Sequence, residues 1–196
     1  MADTLTKLAG ADLETVAGRA LLPPEARLPL RDCAEIGDAL DRLESAGFAT
    51  EAARMLAHAL PKREGVWWAC VCAAHTAPPD LTEADRLARE AAELWVRQQK
   101  DEPRRAAMAH AEAAGFQTPE AWAGVAAFWG GDSMAPVGQA AIPPGPELTG
   151  TAVAGSVALS AVRGDFALRD ARLKRFLESG RNIAAGGAGR IAPEQP

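Results

Sequence analysis

The chain has 196 residues, of which 48% are hydrophobic and 24% charged, with a formal net charge of −5. That length and balance suit one globular domain that buries its own core without metal or disulfide staples. Mild acidity argues against a nucleic-acid partner, which needs a basic face to displace counterions from phosphates. Frequent alanine and the absence of tyrosine favour helix.

The opening run MADTLTKLAG has no apolar segment of the signal-peptide kind. Residues 1–31 read as a helix and a proline-rich arm. Leu13, Val16 and Ala20 have helical spacing within Asp12 to Leu22. LLPPEARLPL then predicts an extended arm, because proline fixes φ and pushes its predecessor out of the α region. The arm lies across the domain or against a partner.

Residues 32–131 read as a helical core. Asp32 predicts the N-cap of a helix from Cys33 to Ala46, with Ile36, Leu40 and Leu43 on one face. Gly47 stops it and Phe48 follows. Thr50 predicts the cap of a helix through Leu60, which Pro61 ends. The stretch from Pro61 to Pro78, PKREGVWWACVCAAHTAP, is uncharged from Val66 to Ala74. A helix apolar nearly all round must be covered nearly all round, so it predicts the central buried element. Thr82 caps the next helix, to about Gln99, with Leu87, Ala91, Leu94 and Trp95 inward and Asp85 among the outward residues. Pro103 opens another, to Ala114, and Gly115-Phe116 closes it. Thr118-Pro119-Glu120 starts a helix with Trp122, Val125, Ala126 and Trp129 on one face.

Residues 132–148 read as a loop rich in Gly and Pro. Residues 149–185 read as a helical pair packed on the core: Thr149 caps a helix of small residues to Arg163, and a second follows from Leu168 to Ala185. The uncharged run Thr151 to Val162 is too short to span a membrane. Residues 186–196, GGAGRIAPEQP, predict a disordered tail.

Two junctions echo each other, AGFATEA at 46–52 and AGFQTPEA at 114–121. Helix starts at Thr50, Thr82, Thr118 and Thr149 have the spacing of stacked helical hairpins. The expected fold is therefore all-α, an antiparallel helical bundle or a short repeat-like array of hairpins.

Cys70, Cys72 and His75 invite a metal reading, but on a helix the two cysteines point about 200° apart. Cys72 and His75 share a face, yet two ligands do not make a structural zinc site. As a nucleophile pair they sit in the most apolar segment, where burial raises a thiol's pKa. The cysteines read as small core residues, and an odd number of them suits a reducing, cytoplasmic setting. His58 and His110 are expected to face solvent. The glycines of FWGGDSM and GGAGR lack the spacing of phosphate loops. No catalytic, cofactor-binding or metal-ligating residue is assigned. Five tryptophans are generous for such a chain, and tryptophan is a favoured interface anchor. Trp129 before the Gly130-Gly131 break, Met134 in the loop and Trp122 are the expected partner-binding residues.

The combination LPKREGVWWACVCAAH, RRAAMAHAEAAGFQTPEAWAGVAAFWGGDSMAP and LTGTAVAGSVALSAVRGD, spanning 60–183, resembles a bacterial all-helical family of unknown function associated with type VI secretion gene clusters. The resemblance implies an accessory role, an adaptor or chaperone holding an effector or spike component. It supplies no site residues. The expected function is a non-enzymatic protein-interaction module with a protein partner and no nucleic acid, membrane or cofactor. A small-molecule or lipid carrier with a Trp-lined pocket is the alternative, and a thiol enzyme at Cys72 a further one.

Overall fold

The computed structural model describes residues 4–194. Among the described residues the fold is all-α, with ten α-helices, three 3-10 turns and no strand. The helices are α1 (Leu13–Arg19), α2 (Pro24–Arg27), α3 (Ile36–Ser45), α4 (Ala49–Ala59), α5 (Lys62–His75), α6 (Glu83–Gln98), α7 (Asp101–Ala113), α8 (Pro119–Gly130), α9 (Leu148–Val162) and α10 (Arg169–Ala184). α5 lies at the centre and packs on α6, α8, α9 and α10. Its residues from Gly65 to Cys72 are buried, except for half-buried Trp67. α9 is the second inner helix and touches α4, α5, α8 and α10. Solenoid repeats touch only their neighbours in sequence. Here α9 reaches back to α4 and α5, so the architecture is a bundle and not an array.

Small residues let these helices approach closely. A Cβ at Gly124 of α8 would lie 2.7 Å from the Ala107 carbonyl oxygen of α7. On α10, a Cβ at Gly180 would lie 2.6 Å from Leu56 and 3.0 Å from the Trp68 ring. Trp68 is fully buried in this gap and its indole N–H donates to the Phe176 carbonyl at 2.9 Å.

The two echoing junctions agree only in part. Both stop on a left-handed glycine, Gly47 and Gly115, and both phenylalanine N–H groups donate to carbonyls five residues back, Leu43 and Ala111. Thr118 does cap α8, its hydroxyl accepting from the Ala121 N–H. Thr50 caps nothing: without a proline at the first turn, α4 winds back to Ala49 and takes Thr50 inside. Thr149 also lies inside its helix, and its hydroxyl donates to the Trp129 carbonyl at 2.9 Å, satisfying an orphan acceptor at the end of α8. The regular threonine period is thus no repeat.

Four other expectations are corrected. Asp32 has φ +67° and does not cap α3, which starts three residues beyond Cys33 at Ile36. The proline-rich arm is not extended: Pro24 takes the first position of α2, and Leu28–Leu30 form a 3-10 turn. On α6 the inward face is Asp85, Ala88, Ala92, Trp95 and Val96, while Leu94 is exposed. Asp85 goes inward because it is useful there. It accepts from the Thr82 hydroxyl at 2.6 Å and the Thr118 hydroxyl at 2.5 Å, tying the N-caps of α6 and α8 to one carboxylate.

The fourth correction is the tail. Residues 187–194 lie against α5 and α10. The Trp67 indole donates to the Ala188 carbonyl at 2.7 Å, and the Glu194 N–H donates to the His75 carbonyl at 2.7 Å. Ser179 donates to Gly189, and Arg172 holds the Glu194 carboxylate through Nη2 at 2.6 Å. Low overall hydrophobicity hides this order, since backbone carbonyls, the Arg172–Glu194 ion pair and Ile191 packed against the core do the fastening. Residues 195–196 of the expected tail lie outside the described residues.

Arg172 beside Glu194 holds that carboxyl below its usual range, through hydrogen bonds first, with burial opposing. A carboxylate with a lowered folded pKa contributes stability above its unfolded pKa and loses it as pH falls through the folded one. Glu194→Gln is therefore expected to cost about 1 kcal/mol at pH 7, the upper end for a partly exposed pair. The cost should shrink below the ordinary carboxylate range, as read by urea denaturation at a series of pH values.

Candidate functional site

One feature with room for a ligand or partner group is a groove between α4 and α9, closed at one end by the last turn of α1. It has a volume of about 260 Å³ and is open to solvent. α9 supplies an apolar strip, Ala154, Gly155 and Ala158, and Leu173 of α10 and Ala53 of α4 line it below. Arg19, Leu21, Arg54, Thr50, His58 and Thr151 stand around it. The strip is bare because α9 is made of small residues and turns its larger ones, Val153 and Val157, into the core.

His58 was expected in solvent and is half-buried instead. A Cβ at Gly150 would collide with its ring, so that glycine lets the imidazole lie against the α9 backbone. Burial, with Arg19 and Arg54 nearby, pushes the His58 pKa down to about 4, and Glu147 opposes the shift. The ring is thus neutral at pH 7. Among the described residues neither Arg19 nor Arg54 forms an ion pair. Leu21 stands at the mouth, 78% exposed, in a left-handed backbone conformation at φ +50°. A non-glycine residue there costs free energy and marks functional positions more often than chance.

The sequence-predicted residues are placed as follows. Trp122 is half-buried, its ring 3.5 Å from where a Cβ at Gly155 would stand, and its indole donates to the Phe116 carbonyl at 2.9 Å. It therefore flanks the groove through the shared glycine. Trp129 lies on the same helix face seven residues on, about 10 Å along the axis, near the start of α9. Met134 is half-buried in the loop, whose backbone is folded on itself: its N–H donates to the Ile142 carbonyl at 2.7 Å and the Ser133 hydroxyl accepts from Ile142 at 3.0 Å. Of the three, only Trp122 adjoins the groove. The arginines, Leu21 and His58 were not singled out by sequence, because α1 and α4 meet there only in the fold.

Cys70 and Cys72 are fully buried, and burial pushes both thiols well up from their ordinary pKa. His75 does not face them as a base. Arg175 can only donate, so Nε2 accepts from it at 3.2 Å and the Nδ1 proton goes to the Ala192 carbonyl. Cys33 is half-buried near Asp38 and Arg42, and burial raises its pKa too. Among the described residues no group of three His, Cys, Asp or Glu side chains is placed to hold a metal ion. No helix there is long and apolar enough to cross a membrane.

Polar groups the sequence did not flag gather where α5 and α9 end and α6 and α8 begin. Glu120 is fully buried and paired with Arg163, with Nη1 to Oε1 at 2.9 Å and a second, parallel bond from Nη2. Arg163 also donates to the Thr76 carbonyl at 3.2 Å. Ser156 donates to the Pro119 carbonyl at 2.8 Å. A glutamate just after Pro119 reads as an ordinary first-turn acid, so nothing in its local sequence announced burial. Both Glu120 oxygens and the Ser156 hydroxyl have partners, an arrangement that ties α8 to α9 and to the end of α5.

A family model described as "Family of unknown function (DUF6931)" matches residues 39–184. No curated protein and no solved structure matches the chain.

Proposed function

The chain belongs to the DUF6931 family, and from that premise we propose that it is a non-enzymatic protein-interaction module, adaptor-like or chaperone-like, that engages its partner through the α4–α9 groove. The observation that carries this reading is the groove mouth, where a large apolar side chain, Leu21, is both exposed and held in a strained backbone. The volume supports it as well. Pockets for drug-sized ligands run to about 300–1,000 Å³ and bury most of the ligand. At about 260 Å³ and open, the groove suits an anchoring side chain better than an enclosed cargo. No tryptophan lines it, which removes support from a Trp-lined carrier. Fully buried thiols with raised pKa values, and a histidine committed elsewhere, give a thiol enzyme no support either. The resemblance of 60–183 to a family near type VI secretion genes adds the finer proposal of a cytoplasmic bacterial accessory protein whose partner is an effector or secretion component.

The test is a photo-crosslinking amino acid placed at exposed Ala158 in the source cell. We expect capture of one protein at this position, and none from the same group at exposed Glu112 on α7. Equal capture at both positions, or none at Ala158, counts against the groove as the working surface.

A further inference from the structure

Taking the interaction reading as its basis, we propose that the groove recognises a partner segment carrying a carboxylate beside a large apolar side chain. The carboxylate sits between Arg19 and Arg54, and the apolar group lies on the strip of Ala154, Gly155 and Ala158.

Charge complementarity selects this occupant. Many arginines elsewhere are matched by carboxylates within the chain, Arg104 by Asp101, Arg163 by Glu120, Arg172 by Glu194, and Arg181 by Asp41 and Glu44, while Arg27 and Arg63 donate to backbone carbonyls and Arg175 to His75. Arg19 and Arg54 are left without an ion pair among the described residues, in a chain whose net charge is −5. Both line the groove together with His58, whose charged form they disfavour. Glu147 acts on His58 as well but pairs with neither arginine among the described residues. Guanidinium matches carboxylate geometry, and a basic segment would meet repulsion there. The remaining surface is apolar and concave, with exposed Leu21 beside it and Trp122 behind Gly155. A larger cleft of about 1100 Å³ between Thr4–Ala11, Ala34–Gly37 and α10 offers no such match, since its arginine, Arg181, is already paired.

The probes are three fluorescein-labelled amphipathic peptides. One has a leucine and phenylalanine face flanked by glutamates, and its counterparts have glutamine or lysine at the flanks. Anisotropy titration at low salt should show the glutamate peptide binding about ten-fold more tightly than the glutamine peptide, with the lysine peptide weakest. The preference should fade as salt rises. Arg54→Glu should transfer the preference to the lysine peptide. Ala158→Trp, at an exposed position, should abolish binding while the helical circular dichroism spectrum and melting temperature stay as in wild type. Equal binding of the glutamate and glutamine peptides, blocked by Ala158→Trp, overturns the acidic partner and leaves the interaction surface standing. No binding of any peptide overturns this proposal, and the crosslinking at Ala158 then decides the broader one alone. Self-association of the chain lost in Ala158→Trp, or displacement of the glutamate peptide by millimolar octanoate at equal occupancy, also overturns it, by giving the groove to a second copy or to a free organic acid.

Discussion

Arg163→Met is expected to lower the free energy of unfolding by about 3–5 kcal/mol, the usual cost of stripping one partner from a buried ion pair. Glu120 has no exposed surface, and both its oxygens are bonded to the Arg163 guanidinium. Methionine keeps much of the bulk and removes the charge, leaving a carboxylate that water cannot reach. The double variant Glu120→Met with Arg163→Met should recover most of the loss, because an apolar pair has no charge to desolvate. Recovery stays incomplete by the bond from Arg163 to the Thr76 carbonyl. Urea denaturation of wild type, both single variants and the double variant gives the coupling directly. A single-variant cost under 1 kcal/mol would sink the claim that this pair is desolvated.

The second large effect is expected at Trp68. Trp68→Ala should cost about 3–5 kcal/mol, as large-to-small aromatic replacements in cores do. The ring fills the space left by Gly180 at the α5–α10 interface, and its loss also removes the second hydrogen bond that the Phe176 carbonyl accepts beside its helical one. Gly180→Ala, the reverse experiment, pushes a methyl group against Leu56 and the same ring, and should cost about 1–3 kcal/mol. Domains of this kind are stable by about 5–15 kcal/mol, so Trp68→Ala removes a large share. Tryptophan fluorescence during denaturation reads both variants. A Trp68→Ala protein with an unchanged midpoint would show that the cavity closes without cost.

The helices were legible because alanine, leucine spacing, glycine stops and proline starts all agree locally. The central position of α5 followed from nine uncharged residues in a row, Val66 to Ala74. What escaped was whatever depends on residues far apart in the chain. Asp85 looks like one more first-turn acid until Thr118, 33 positions on, is brought to it. The tail looks too polar to order until the Trp67 indole and the His75 carbonyl are placed beside it. The groove joins α1, α4 and α9, and no window of sequence contains all three. Trp122 was singled out because tryptophan is conspicuous by type. Arg19 and Arg54 were not, since their lack of partners is a property of the fold. The threonine period misled because Thr50 and Thr149 share a residue type with Thr82 and Thr118 but not the turn geometry around them.

The close seating of α8 on α7, with Gly124 facing the Ala107 carbonyl, bears on how this protein tolerates mutation. Alanine and glycine lose almost no rotamer freedom when buried, so such seams form at low entropic cost. The same seams leave no slack for growth: a methyl group added at Gly124 meets main chain, which cannot rotate away. Mutational robustness should therefore be lopsided, with neutral drift crowded onto the outer faces of α3, α6 and α7 and the alanine seams nearly frozen.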